Sequence, residues 1–258
     1  MNSEMIQQWQ RERAISRQDA LQSFLQIIVL KNLSLENIRL IGGTALVLGQ
    51  GNPRFSEDLD FANVSSPLLL EKDIQKAVRE ADGWLGVSGR IVYPKPKKST
   101  WRLVYQLLPS EAIQLHIDSQ PYPAHTHSPV IIRFPGIPSF IKASVEVDEI
   151  MADKLVALVQ RQYLSGRDLF DLWYHWLSQP YNQNRSEKII QLLRIKLREH
   201  ASSRKEFLKI AVTRISGKMA LEKANYEWKR YLPVSFQKDE VFEDILKQIK
   251  RLPEILAL

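Results

Sequence analysis

The sequence predicts an α+β fold: a mixed sheet flanked by helices over residues 1–147, followed by a helical domain over residues 148–258. Three observations carry this. Strand-like and helix-like runs interleave as far as Phe134, whereas from about Asp148 onward apolar residues recur only at helical spacing. At 258 residues the chain exceeds the usual size of a single domain, and its 44% apolar content is ample for a core.

The first helix is expected from Ser16, a natural N-cap with Asp19 in the first turn, and it buries Leu21, Phe24, Leu25, Ile28 and Val29. Ile38–Ile41 reads as a core strand, Thr44–Leu48 as a short helix and Gly49–Pro53 as a loop. After Phe61, Ser65, Ser66 and Pro67 open a third helix through Leu70, Ile74, Ala77 and Val78, ended by Asp82 and Gly83. Strand-like runs follow at 87–93, 100–108 and 112–118, the last two joined through Pro109 and Ser110 as a hairpin, with a basic loop at 94–99. Val130–Phe134 is a further strand. Asp148 is a fitting N-cap for the helix that buries Met151, Leu155, Leu158 and Val159; Ser165 and Gly166 end it, and Leu169, Leu172, Trp173 and Trp176 form the packing face of the next.

Composition narrows the chemistry. Without cysteine, disulfides, thiolate zinc sites and cysteine nucleophiles are excluded, which leaves Asp, Glu, His, Lys and hydroxyls. No apolar run approaches the roughly 18 residues of a membrane span, and the polar start MNSEMIQQWQRER does not read as a secretion signal, so a cytoplasmic protein without membrane contact is expected. The net charge of +7 is uneven: residues 1–180 carry 19 basic and 19 acidic side chains, residues 181–258 carry 17 and 10. The excess therefore lies in the helical part, where a polyanion or plain solvent can meet it. Arg194, Lys196, Arg198, Arg204, Lys205, Lys209 and Arg214 surround its helices, and Tyr226, Trp228 and Tyr231 alternate with Lys229 and Arg230, a composition suited to RNA.

The chemistry concentrates in LIGGTALVLGQGNPRFSEDLDF, residues 40–61. In an extended strand Asp58 and Asp60 share one face, and Leu59 and Phe61 anchor the other. Two carboxylates so placed repel, and a hard divalent cation, above all magnesium carrying substrate phosphates, relieves the repulsion. Gly42, Gly43 and the Thr44 hydroxyl suit a phosphate at a helix start, with Ser56 just before the aspartates. Arg54 can steady a phosphate or sit on the surface. On the strand 112–118, Gln114, His116 and Asp118 share a face, and Asp118 at its end supplies a third carboxylate for two-metal transfer. His125 and His127 lack further ligands and make a weak metal pair. Lys154, beside an apolar stripe, reads by periodicity as a surface residue whose stem lies along the helix, so Lys154→Met is expected to leave the fold intact. Asp168 and Asp171 fall near the start of the following helix, where a carboxylate also serves as a cap.

A Gly-Gly-Thr turn followed by an Asp-x-Asp strand resembles the nucleotidyltransferase signature of the DNA polymerase beta-like superfamily. GGTAL with RFSEDLDF resembles, more narrowly, the AbiEii/AbiGii toxin family of type IV toxin and antitoxin pairs. The resemblance runs over four ordered motifs from Leu40 to Trp173 and implies a nucleotidyltransferase-type sheet. It places a second acidic motif at Asp118, gives Lys154 in ADKLVAL a catalytic place, and makes Asp168 or Asp171 of an Arg-Asp-x-x-Asp element complete the set. It also implies magnesium-dependent transfer of a nucleoside monophosphate from an NTP, toxicity neutralised by a cognate antitoxin, and the 3′ end of tRNA as acceptor. Gly43 and Thr44 would hold the triphosphate, and Asp58 and Asp60 would bridge two magnesium ions. RNA would lie on Arg194, Arg198, Arg204 and Lys205. A transferase acting on a protein or small molecule, and a silent nucleotide- or RNA-binding regulator, are the alternatives.

Overall fold

The computed structural model describes residues 3–34, 38–62, 67–92, 100–119, 123–180 and 182–257; Ser65, Ser66 and the basic loop 94–99 lie outside the described residues. The chain divides into two compact units, Met1–Val145 and Glu146–Leu258. No helix among the described residues is long and apolar enough to cross a membrane.

In the first unit, helix α1 (Ser3–Arg13) was not expected; its Trp9 ring packs on Phe134 with centroids 4.9 Å apart. Helix α2 (Arg17–Asn32) starts where Ser16 predicts, through a reciprocal capping box: Ser16 accepts from the Asp19 amide at 3.1 Å, and Asp19 accepts from the Ser16 amide at 3.4 Å. Its sides are buried almost all round, so it is a central rather than a covering helix. Strand β1 (Arg39–Ile41) runs straight into helix α3 (Gly42–Gly49), whose first turn is made by the glycines themselves. Strand β2 (Leu59–Ala62) leads to helix α4 (Pro67–Leu85). Asp82 and Gly83 do not end α4; Gly86, at φ +71°, does, because it adopts the left-handed conformation that closes a helix.

Strands β3 (Arg90–Val92), β4 (Thr100–Leu108), β5 (Glu111–Ser119), β6 (Ser128–Phe134) and β7 (Ile137–Ser144) complete a sheet of order β3-β4-β5-β2-β1-β7-β6 among the described residues. The β4–β5 hairpin lies where the sequence puts it. Strand β7 was missed; it follows a turn at Gly136 (φ +73°) and pairs antiparallel with β6 and parallel with β1. The β2–β5 and β1–β7 pairs are parallel and the rest antiparallel, which makes the sheet mixed.

The second unit is helical: α5 (Val147–Gln160), α6 (Gly166–Leu172) continuing into a π-helical turn at Trp173–Leu177, α7 (Gln183–Glu199), α8 (Arg204–Ser216), α9 (Lys218–Tyr231), α10 (Asp239–Ile249) and α11 (Leu252–Ala257). Helix α5 packs against α6, α7 and α8. Its N-cap is Glu146, not Asp148; Asp148 falls in the first turn, where Arg185 Nε meets it at 2.7 Å. Trp228 and Tyr231, expected among exposed stacking residues, are buried: Trp228 packs on Phe242 with centroids 5.2 Å apart. Helices α6 and α9 approach so closely that a Cβ on Gly166 would lie 2.2 Å from the Ala224 carbonyl oxygen. Only glycine fits there.

Candidate active site

In the first unit the sheet register brings the acidic motifs together. Strand β2 pairs with β5 in parallel with Asp60 opposite Asp118, and with β1 antiparallel with Ile41 opposite Asp60. Asp58 lies one residue ahead of β2 and so shares the side of Asp60, while Leu59 and Phe61 are buried on the other. Asp58, Asp60 and Asp118 are all half-exposed, as ligand-accepting carboxylates must be.

The glycines fit against these residues. Gly42 has φ +72°, and a Cβ there would lie 2.7 Å from Asp60 Oδ2; a Cβ on Gly43 would lie 2.2 Å from Arg54 Nη2 and 2.8 Å from Ser56 Oγ. The Gly-Gly pair is thus the floor on which the Asp60 carboxylate, the Arg54 guanidinium and the Ser56 hydroxyl rest. Arg54 is only 3% exposed, so the surface alternative falls away; its Nη1 donates to the Phe55 carbonyl at 2.7 Å and its amide to Asn52 Oδ1 at 3.1 Å. Thr44 is fully buried and its hydroxyl donates to the Asp58 carbonyl, which ties the start of α3 to the acidic segment.

Helix α2 holds the same segment from the other side. Gln26 Nε2 donates to the Ser56 carbonyl at 2.8 Å and lies 3.5 Å from that of Asp58, and Gln22 Nε2 donates to the Glu57 carbonyl at 2.8 Å. By sequence α2 reads as packing alone, and a glutamine in an apolar helix carries no signal of what it holds. Gln26→Met keeps the volume and removes the donor. We expect it to leave the fold in place while the affinity of the acidic segment for a divalent cation falls severalfold, because carboxylates on a loosened backbone hold a cation less well. Unchanged cation affinity would limit Gln26 to packing.

The donor set fits a hard cation. Among the described residues no three acidic or imidazole side chains converge into a ready-made metal cage. A hard divalent cation that keeps several waters needs only one or two carboxylates together with substrate phosphates. His116, His125 and His127 are exposed.

In the second unit a buried lysine clamp forms. Lys154 on α5 is 7% exposed, and its Nζ lies 2.6 Å from Asp168 Oδ1 and 3.0 Å from Asp171 Oδ2, both on α6 and 1% and 0% exposed. Asp168 also meets Arg161 Nη1, at 3.1 Å. The two aspartates the sequence leaves undivided thus share one ammonium. One turn apart on α6, they reach it together because they lie on one face of the helix. The start of α6 is capped from α9: Glu227 accepts from the Gly166 amide at 2.8 Å and from Ser165 Oγ at 3.2 Å.

Helix α5 carries a second buried ion cluster on its α7 side. Lys196 Nζ lies 2.7 Å from Glu149 Oε1 and 3.1 Å from Asp153 Oδ1. Burial pushes the Asp153 carboxyl up to about 6 against the pull of Lys196. Lys196 therefore does not belong to the basic face, and neither does Arg214, which donates to the Leu158 and Arg161 carbonyls at the end of α5. Arg194, Arg198, Arg204 and Lys205 are exposed on α7 and α8.

A family model described as nucleotidyl transferase AbiEii toxin, type IV toxin–antitoxin system, matches residues 24–248. The chain belongs to the AbiEii nucleotidyltransferase toxin family. Among solved structures, this AbiEii chain is similar to MenT4, nucleotidyltransferase toxin Rv2826c from Mycobacterium tuberculosis H37Rv, with a TM-score of 0.61 at 14% identity over 99% of both chains. A Helicobacter pylori structure matches with a TM-score of 0.50 at 19% identity, over 94% of this chain and 96% of that one. At these identities the likeness is one of fold. No curated protein matches the chain. The AbiEii match spans the Gly-Gly turn, the Asp58, Asp60 and Asp118 strands, and the Lys154, Asp168 and Asp171 clamp.

Proposed function

We propose that this AbiEii protein transfers a nucleoside monophosphate from an NTP to a hydroxyl at the 3′ end of tRNA, as a toxin counteracted by a cognate antitoxin. The observation that carries the reading is the pairing of Asp60 with Asp118 on adjacent strands, with Gly42 abutting Asp60. Two carboxylates held side by side without a catalytic use are a cost to the fold, and transfer of a phosphoryl-type group is the chemistry that uses them.

Asp58, Asp60 and Asp118 would hold magnesium, which when bound supplies Lewis-acid stabilisation to the phosphates and an activated acceptor oxygen. The chain's own groups set the geometry. Gly42 and Gly43 let the Asp60 carboxylate, the Arg54 guanidinium and the Ser56 hydroxyl close onto the backbone at the start of α3, the turn to which the triphosphate is assigned. Thr44 acts one step back, by fixing the Asp58 carbonyl. Asp118 aligns the acceptor hydroxyl, whose oxygen bonds to the α-phosphorus as the bond to the departing pyrophosphate breaks; the acceptor proton leaves to solvent. Within the helical unit Lys154 is held by Asp168 and Asp171, and the likeness of ADKLVAL to the family's lysine-bearing helix is what supports a catalytic role for it.

Incubation with each α-labelled NTP, magnesium and total cellular RNA or protein tests this reading. Label is expected in tRNA-sized RNA from one preferred NTP and none after chelation; label in protein alone would refute the acceptor. Reversing the charges of Arg194, Arg198, Arg204 and Lys205 together is expected to weaken RNA binding and to lower its salt slope by about one for each phosphate no longer neutralised, leaving NTP affinity in place. Unchanged RNA affinity would move the acceptor off α7 and α8.

A further inference from the structure

The helical unit carries a strip of exposed aromatic and cationic side chains that the basic helices do not account for. Tyr226 on α9 is 88% exposed, although Trp228 two residues on is buried in the core. Tyr163, in the loop between α5 and α6, is 45% exposed, and the Lys223 ammonium stands 4.3 Å from the centre of its ring. Lys223, Tyr226 and Arg230 follow one another at i, i+3 and i+7, so all three lie along one exposed side of α9. The exposed carboxylate on the same side is Glu222; that of Glu227 is turned to the start of α6.

A single exposed tyrosine needs no explanation. Two on one strip, with Lys223 over the Tyr163 ring and Arg230 beside the Tyr231 ring, set exposed aromatic side chains among positive charges. That is the arrangement by which unpaired nucleotides are held without sequence readout: each base has a π-face to lay on a ring, and each phosphate between bases meets a cation. Duplex RNA keeps its bases stacked internally and offers phosphates, 2′-hydroxyls and groove edges, with no open base faces along its length. The strip also adjoins the lysine clamp, since Arg161, two residues before Tyr163, pairs with the Asp168 that holds Lys154.

Building on the RNA reading above, we infer that Tyr163, Lys223, Tyr226 and Arg230 form a stacking site for unpaired nucleotides of the RNA acceptor. The partner is single-stranded RNA. Arg194, Arg198, Arg204 and Lys205 would then meet the paired part through phosphates alone.

The test compares binding of a labelled, unstructured oligoribonucleotide of about ten nucleotides with that of a blunt RNA duplex. Tyr226→Leu and Tyr163→Leu are each expected to weaken single-strand binding roughly tenfold, Tyr226→Phe to retain it, and neither to change duplex binding. All positions are exposed, so the variants should melt as wild type does. Single-strand affinity unchanged in the Tyr163→Leu/Tyr226→Leu double variant overturns the stacking site and leaves the RNA reading standing if wild type still labels RNA. If wild type labels protein only and binds no oligoribonucleotide, both fail. A change of oligomeric state in the double variant, with RNA affinity unmoved, would make the strip a self-association surface and also overturn the inference.

Discussion

Asp60→Asn is expected to abolish nucleotide transfer while the metal-free protein stays as stable as wild type or becomes more so. Asp60 and Asp118 face each other across a parallel ladder, with Asp58 on the same side. Like charges on adjacent strands repel, and a cation held between them turns that repulsion to advantage. Asparagine keeps the shape and one acceptor oxygen, so contacts made by the carboxylate as an acceptor survive, and Gly42 still has an oxygen to abut. What disappears is one of the three carboxylate charges that would draw magnesium to the site. Thermal melts with and without magnesium, beside a transfer assay on the same preparation, check this. Wild type should gain stability from magnesium with NTP and the variant should not. A large loss of stability in the metal-free variant, or transfer that persists, would sink the metal assignment.

Lys154→Met should behave in the opposite way, with activity and stability lost together. Periodicity suggests a lysine whose charge could be removed without harm. Burial replaces that expectation, because the ammonium lies 2.6 Å and 3.0 Å from two carboxylates that are themselves buried. Removing one partner of a buried ion cluster leaves charge without compensation, at a cost of about 3–5 kcal/mol. For a protein of this size that is a fall in melting temperature of roughly 10 °C. Arg161 remains on Asp168, and neutralising Asp171 removes the other carboxylate that the Lys154 ammonium held. Lys154→Met combined with Asp171→Asn should therefore recover much of the stability and none of the transfer. A single variant that melts like wild type would show the clamp to be dispensable for folding, and a double variant that regains activity would return Lys154 to a structural role.

The parts of the site that follow a period were legible in the sequence. Alternation placed Asp58 and Asp60 together and put Asp118 at the end of its strand, and the Ser16 capping box fixed the start of α2. What failed was anything composition decides without direction. Lys196, Arg214, Trp228 and Tyr231 all look like members of a basic, aromatic surface; in the fold the first two are spent on α5 and the last two on the core. Strand β7 went unseen because its residues, IPSFIKAS, leave Ile141 exposed and do not alternate cleanly. Gln22 and Gln26 were invisible for a different reason: a side chain that grips a backbone carbonyl 30 or more residues away has no local signature.

The parallel pairing of β2 with β5 has a consequence for how such a site tolerates change. Parallel neighbours need a crossover, and here α4, β3 and β4 supply it between Ala62 and Glu111. Residues added to or removed from loops of that crossover leave Asp60 and Asp118 facing one another, because the ladder and not the chain length sets their separation. One residue inserted or deleted within β5 ahead of Asp118 does the reverse and turns the carboxylate to the buried face. The number of residues between the two acidic motifs is thus free to drift, while their parity within the strands is not.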